Sequence, residues 1–437
     1  MDWKELYRQK LVTAEAAAKV IKSDDRIWYS PTGSAPVDLI NAISKRKDEL
    51  QNVNMYSGLI LYPFDYFKGE FKGHIKHNTF FMGPIERTMF SQGNMEVISY
   101  HFSQTDWLVR NVIKPNVFLT EVSPPDEKGD MSFGVMGNFA GHIVASMADT
   151  IIVQVNNEAP YVCGDRNAFI NVKDVTYICE GDHKLPELPS IPITEIEKKI
   201  ASHIVPYIED GSTIQIGIGG LGNAVGFFLE NHKDLGVHTE MAVDSMAALA
   251  EKGVVNGSKK TLHPGEFTCS FGIGSRKLYD FMHRNKALRA YPVSYINDET
   301  VIGQNNKVVA INNALMCDLT GQVCSESLGF QQFSGTGGQL NFVRGAMLSP
   351  GGKAFLALDA TTKKQDGTIV SRITSSFLPG SVVTTPRSDV QYIVTEYGAA
   401  YLRGKNISER AREMIKIAHP MFREQLEKEA RENRILM

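Results

Sequence analysis

Three glycines and one carboxylate have the residue types and spacing to do chemistry. Gly217, Gly219 and Gly222 follow a β-branched run, Thr213–Ile216, and precede an apolar segment with helical character. Glu240 ends a second short strand-like run, Val237–Thr239. The spacing fits G-x-G-x-x-G with an acid about 20 residues on, the pattern of a dinucleotide site with Glu240 on a ribose hydroxyl. The same residues fit a different chemistry. Backbone N–H groups at a helix start can hold an oxyanion, and Glu240 can then serve as a nucleophile toward the carbonyl they polarise. A ligand-free strand–helix turn is the third reading. Composition leaves all three open.

A second glycine loop, Gly335–Gln339 (GTGGQ), has no lysine after it, so it is not a Walker A loop. Two glycine loops suit a long cofactor with phosphates at one end and a reactive group at the other. A hairpin turn is the plainer alternative. Asn297, in the loop YIND, is an amide that could donate to a reacting oxygen or simply form the turn. Glu396 follows the strand-like Tyr392–Val394 and adds a second carboxylate at a strand C-terminus. Arg344, Arg387 and Lys405 could meet phosphates or be solvated surface charges.

The elements that must position these groups alternate. Asp24–Tyr29, Val53–Leu61, Val117–Val122 and Thr150–Val155 read as strands, with helical patterns at Thr13–Ile21 and Val37–Ile43. This predicts βαβ units and a parallel sheet. Pro186, Pro189 and Pro192 crowd one stretch and exclude a helix or central strand. Residues 186–193 are therefore expected to link an N-terminal α/β domain, 1–185, to a C-terminal one, 194–437. Thr194 and Glu197 form a capping box for a helix whose Ile196, Ile200, Ile204 and Ile208 would make one buried stripe. Pro206 should kink or shorten it. A helix is expected at Asp244–Ala250. Further strands are expected at Phe267–Phe271, Val308–Ile311, Ala354–Leu358, Val382–Thr384 and Tyr392–Val394. A charged helical tail should start at Ser408, with a break at His419–Pro420. The Pro, Asp and Gly content of Ser123–Gly134 marks a loop at a strand end, either functional or a plain surface turn. The aromatic segment Met55–Phe67 could roof a pocket or be a core strand and loop.

A chain of 437 residues exceeds one ordinary core. Hydrophobic content of 43% and charged content of 22% match a globular protein in water. The net charge of −3, without a basic block, argues against nucleic acid or a membrane surface as partner. There is no run of about 20 apolar residues and no apolar N-terminal segment, so neither a span nor a signal peptide is expected. Five scattered cysteines without a C-x-x-C pair suggest reduced thiols in a cytoplasm. The 11 histidines lack ligand spacing, so no metal is expected.

Taken together and in order, SPPDEKGDMSFG, QIGIGGLGNAV, HTEMAVD, YIND, QFSGTGGQLNFVRGA, VTEYGAAYLRGK and ERAREMIKIAHPMF resemble a known family over nearly the whole chain. It is the class I coenzyme A transferases of the 4-hydroxybutyrate CoA-transferase and acetyl-CoA hydrolase/transferase group, which includes butyryl-CoA:acetate CoA-transferases. The resemblance implies two open α/β domains with mainly parallel sheets and an active site in the cleft between them. It implies Glu240 as nucleophile and oxyanion donors near Ile218 and at Gly337 or Gly338. It also implies that Asn297 orients the glutamate or its adducts and that Glu396 lines the site. Gly217, Gly219, Gly335, Gly337, Gly338 and Gln339 are the expected CoA-binding positions. CoA and acyl-CoA would be substrates rather than tightly bound cofactors. Short-chain carboxylates would be the other partners, acting on a homo-oligomer, a dimer by base rate. An acetyl-CoA hydrolase using the same glutamate, and more distantly an NAD-dependent oxidoreductase, are the alternatives. One position departs from the family pattern. Close relatives often have proline where this chain has Gly222, and glycine is expected to loosen that turn.

Overall fold

The computed structural model describes residues 2–188 and 191–437. Two compact units emerge. One comprises Met1–Pro189, Glu240–Ala242 and Thr268–Ile296; the other comprises Ser190–Thr239, Val243–Phe267 and Asn297–Met437. Of the expected linker, Pro189 and Ser190 lie outside the described residues. Both units are α/β with mainly parallel sheets.

In the first unit the strand Arg26–Tyr29 sits between Val53–Ser57 and Val117–Val122. Ile27 is in parallel register with Met55 on one side and Val117 on the other. Ile75–Thr79 and Met95–Val97 extend the sheet beyond Val53–Ser57; Thr150–Asn156 and Tyr177–Gly181 extend it beyond Val117–Val122. Every residue of Val117–Val122 is buried, as a parallel strand covered on both faces must be. Side chains alternate between two cores. Ile27, Tyr29, Leu119 and Ile152 face one, while Trp28, Phe118, Ile151 and Val153 face the other.

One face carries a buried polar chain. Tyr29 and Tyr66 share a hydrogen bond of 2.7 Å, Tyr66 Oη meets His77 Nδ1 at 2.9 Å, and His77 Nε2 meets Glu86 Oε1 at 3.1 Å. The Glu86 carboxylate, with no solvent exposure, also accepts from Thr79 Oγ1 (2.5 Å), Ile60 N–H (3.0 Å) and Gly83 N–H (2.7 Å). It thereby ties the loops after two neighbouring strands, and the buried carboxyl group is tolerated because both its oxygens are hydrogen-bonded. The Ser123–Gly134 loop is likewise ordered around one side chain. Asp126 Oδ1 accepts from Lys128 and Asp130 N–H, and Tyr161 Oη donates to Oδ2. Asp130–Ser132 then pairs antiparallel with Phe169–Asn171.

The second unit opens as its sequence dictates. Thr194 Oγ1 accepts from Glu197 N–H while the Glu197 carboxylate accepts from Thr194 N–H, capping helix Glu195–Ile204. Pro206 falls in a 3₁₀ turn, Val205–Tyr207, that ends it. Ile200, Ile204 and Ile208 are buried, but Ile196 is exposed, so the expected stripe is one residue shorter. Strands run side by side in the order Gly236–Ala242, Thr213–Ile216, Val308–Asn313, Lys353–Ala357, Tyr392–Thr395, Gly398–Tyr401. Pairing is parallel until the last hairpin, where Tyr392 opposes Tyr401. Val382–Thr384 is not a strand. Val382 and Val383 lie exposed, and only an isolated antiparallel bridge from Thr385 to Val323 forms there. The tail forms Ile407–Ile417 and Pro420–Glu432, capped by Asn406 and His419. No helix among the described residues is long and apolar enough to cross a membrane.

Candidate active site

The first glycine turn leaves the fully buried strand Thr213–Ile216. Gly217 N–H still donates to Ile311 O at 3.3 Å, after which the chain leaves the ladder. Gly219 has φ 107°, which an L side chain rarely adopts, and it caps helix Gly220–Phe228. The first bond into that helix is Asn223 N–H to Gly219 O, at 3.1 Å. The amides of Gly220, Leu221 and Gly222 thus head the helix without intrahelical acceptors, as a helix start requires. Gly222 does more than relax the turn. A Cβ there would fall far inside 3.0 Å of the Gly217 carbonyl oxygen and 3.2 Å from Ile216 Cγ2. Its missing side chain lets the helix rest on the turn's own backbone. The third glycine of the dinucleotide pattern therefore has a packing cause. Ile218, at the turn's tip, is 37% exposed.

The second glycine loop is not a hairpin. Gly337 has φ 61° and Gly338 caps helix Gln339–Leu348, with Phe342 N–H donating to Gly338 O at 3.1 Å. Gly335 and Thr336 precede it, and Thr336 Oγ1 donates to the buried Glu326 carboxylate at 3.3 Å. Gln339 is committed to protein partners. Its Oε1 accepts from Ser325 Oγ (2.9 Å) and Thr385 Oγ1 (3.1 Å), and its Nε2 donates to Asn313 O (2.8 Å). Asn313, the last residue of Val308–Asn313, in turn sends Nδ2 to Ile218 O at 3.4 Å. One strand end therefore joins the two glycine turns of the second unit. Asn313 carries no motif, and an isolated amide in Asn312–Asn313–Ala314 gives no sequence signal.

Glu396 lies in the turn between Tyr392–Thr395 and Gly398–Tyr401, where Oε2 accepts from Ala360 N–H at 2.9 Å. Beside it, Asp359 is pushed above the usual carboxylate range by burial. Arg372 offsets part of this, while Glu396 and Glu197 add to it. Glu197 is also the group that a Cβ on Gly220 would strike. Three carboxylates therefore sit by strand C-termini and the first glycine turn. Asn297 is fully buried, and the turn-forming role falls to its neighbour Asp298, which caps Glu299–Gly303 through Thr300 and Val301 N–H. Arg344 pairs with Asp389 at 3.0 Å and Lys405 with Glu413 at 3.3 Å, so both cations already have partners.

Glu240 does not end its strand, which continues through it to Ala242. The side chain is half-buried, three residues beyond Val237, and Val237 is the register partner of Ile214. Glu240–Ala242 groups with the first unit. There its charge acts on Tyr100, whose phenol is raised well above its ordinary range. Burial is the main cause, a Thr105 contact opposes it, and Glu240 adds to it. Nothing in the local sequence pattern marks Tyr100 as a neighbour of Glu240. Among the described residues no group of three or more His, Cys, Asp or Glu could hold a metal ion, and all five cysteines are free thiols.

Residues 1–189 match the N-terminal domain model of acetyl-CoA hydrolase/transferase, and residues 274–430 match the C-terminal domain model. The chain therefore belongs to the acetyl-CoA hydrolase/transferase family. It is 42% identical to the 4-hydroxybutyrate coenzyme A transferase of Clostridium kluyveri, over 98% of both chains. It is 38% identical to the butyryl-CoA:acetate CoA-transferase of Anaerostipes caccae, over 100% of this chain and 99% of the other. The crystal structure of RipA from Yersinia pestis superposes with a TM-score of 0.94 at 33% identity, covering both chains fully. Within the family, the chain is an acyl-CoA:carboxylate CoA-transferase.

Proposed function

We propose that the enzyme moves CoA between a short-chain acyl-CoA, 4-hydroxybutyryl-CoA or butyryl-CoA, and acetate, through a glutamyl-CoA thioester at Glu240. The Glu240 carboxylate attacks the acyl carbonyl, and the CoA thiolate leaves, giving a mixed anhydride. The thiolate then attacks the Glu240 carbonyl of that anhydride and the free acid departs. Acetate runs the sequence in reverse, so one thioester is exchanged for another. Amides at the Gly217–Gly222 turn and at Gly337–Gly338 would hold the oxyanions, each lowering the barrier by about 2.7–4 kcal/mol. Asn297 and Glu396 would orient the glutamate and line the site.

The observation that carries this reading is the pair of glycine-capped helix starts tied together through Asn313 and Gln339. Rigid amide donors are what a transient oxyanion needs, and binding energy from the distant nucleotide can then offset strain at the thioester. CoA and acyl-CoA act as substrates in this reading, without a tightly held cofactor. A cytoplasmic homodimer remains the working expectation. Treatment with acyl-CoA followed by borohydride should reduce Glu240 alone, as read by peptide mass mapping. Reduction at any other residue, or none, refutes the assignment. CoA release that is unchanged when acetate is withheld would make the enzyme a hydrolase instead.

A further inference from the structure

The core on one face of the first unit's sheet encloses a Trp, Trp28, and six phenylalanines, and amid them one phenol, Tyr100. Its ring packs against Phe80 at 5.6 Å and Phe102 at 5.5 Å between centroids. Phenylalanine would fill the same space, so the hydroxyl has another cause than packing. Buried phenols normally find a good partner. This one meets Thr105 Oγ1 at 3.3 Å, beyond the usual O–H···O range. Thr105 spends its own proton on Phe102 O at 2.7 Å, which leaves Tyr100 as the donor in the long contact. The phenol oxygen's lone pairs are not used in that arrangement. Met241, next to Glu240 in sequence, packs on the same cluster, as do the half-buried Leu59 and Phe81. Leu59 is pinned to that wall through its N–H to Phe81 O at 2.6 Å.

We infer that Tyr100 is a specificity-determining residue: its oxygen accepts a hydrogen bond from the terminal hydroxyl of an acyl chain carried at Glu240, while the surrounding rings take the methylenes. The inference rests on the Glu240 reading given above. The charge of Glu240 already acts on this phenol, and burial keeps the phenol neutral. A site that supplies a partner for a substrate hydroxyl favours the hydroxylated chain, whereas apolar walls alone discriminate weakly between the two.

The test compares wild type with Tyr100→Phe, which removes only the oxygen. CoA transfer from acetyl-CoA is measured with 4-hydroxybutyrate and with butyrate as acceptors, and Glu240 labelling by borohydride is followed in both proteins. The expected result is about a tenfold loss of kcat/KM with 4-hydroxybutyrate, the size of one neutral hydrogen bond. Butyrate turnover should stay within about twofold. Equal losses for both acids, or no loss for either, overturn the inference while leaving the covalent mechanism standing if the Glu240 adduct forms. Wild-type protein that forms no adduct at Glu240 overturns the mechanism and this inference with it.

Discussion

Replacing Gly222 by alanine adds one carbon atom at a point where the helix Gly220–Phe228 touches the Gly217 carbonyl. The new Cβ would lie inside 3.0 Å of that oxygen, closer than real Cβ contacts come, and also 3.2 Å from Ile216 Cγ2. The obstacle is backbone, so no side chain can rotate away. Either the helix start or the turn must move by about 1 Å, and a displacement of that order at a reacting centre costs about 10²-fold in rate. The stability cost is smaller. Overpacking costs about 1–3 kcal/mol, and alanine returns up to about 1 kcal/mol of helix propensity. Gly222→Ala should therefore fold with a thermal midpoint only a few degrees below wild type and lose about 10²-fold in kcat. KM for acyl-CoA should change little, because the nucleotide is bound away from the reacting carbonyl. Steady-state kinetics beside a thermal melt separate these effects. A variant with kcat within twofold of wild type would refute the argument that this close approach sets the turn and that the turn's amides act on the reacting group. A variant that loses rate and stability in equal proportion would refute the division between them.

Two further outcomes concern the first unit. Glu86→Ala should cost about 1–3 kcal/mol for each buried donor left unsatisfied, because His77, Thr79 and the Ile60 and Gly83 amides lose a buried acceptor together. Hydrogen exchange at Ile60 and Gly83 should accelerate by several orders of magnitude; unchanged protection would show that the carboxylate does not hold those loops. Asp126 is affected first by burial, which raises its carboxyl. The Asp130 and Lys128 amides, the Tyr161 phenol and the Lys128 charge outweigh that and hold it below its usual range. A depressed folded value means stability that is present above the unfolded pKa of about 3.9 and lost as pH falls through the folded one. The side chain is only part-buried, so solvent screening should keep its contribution under about 1 kcal/mol. Thermal melts of wild type and Asp126→Asn should differ between pH 5 and 7 and converge toward pH 2. A gap that persists at pH 2 contradicts the assignment.

Much of the architecture was legible because parallel strands buried on both faces leave unbroken apolar runs. Val117–Val122 was read to the residue, and Thr150–Val155 to within one. The capping box at Thr194 opens a helix that local chemistry alone specifies, whereas the tail helix was expected from Ser408 without its cap at Asn406. Val382–Thr384 looked like a strand for the same reason and is not one, since a β-branched run forms a strand only where a neighbour supplies a ladder. Ile196 kept the period of its helix but fell outside the contact face. The strand through Glu240 proved longer than the apolar signal, running past the half-buried Glu240 and Met241 to the buried Ala242. What stayed hidden at the candidate site is long-range. The links from Asn313 to Ile218 and to Gln339 cross 95 and 26 residues of sequence. Gln339 lies in the GTGGQ motif but was expected to meet CoA, not Asn313, and the Asn313 amide shows in no local pattern.

Those links bear on why, in the proposed mechanism, two glycine turns would serve better than one. A glycine turn alone is a soft donor, because its backbone has many accessible conformations. An oxyanion hole gains its effect by not having to reorganise as charge develops. In this chain the softness is removed from outside the turns. The helix packs on the Gly217 carbonyl through Gly222, Glu197 abuts Gly220, Glu326 holds Thr336, and Gln339 spends its amide on Ser325, Thr385 and Asn313. The glycines supply close backbone approach, and ordinary polar side chains supply the rigidity. In the proposed mechanism a donor array built this way would meet successive tetrahedral centres during one exchange without rearranging. Each centre would develop the same charge on a carbonyl oxygen, whether the carbonyl belongs to the acyl group or to the glutamate.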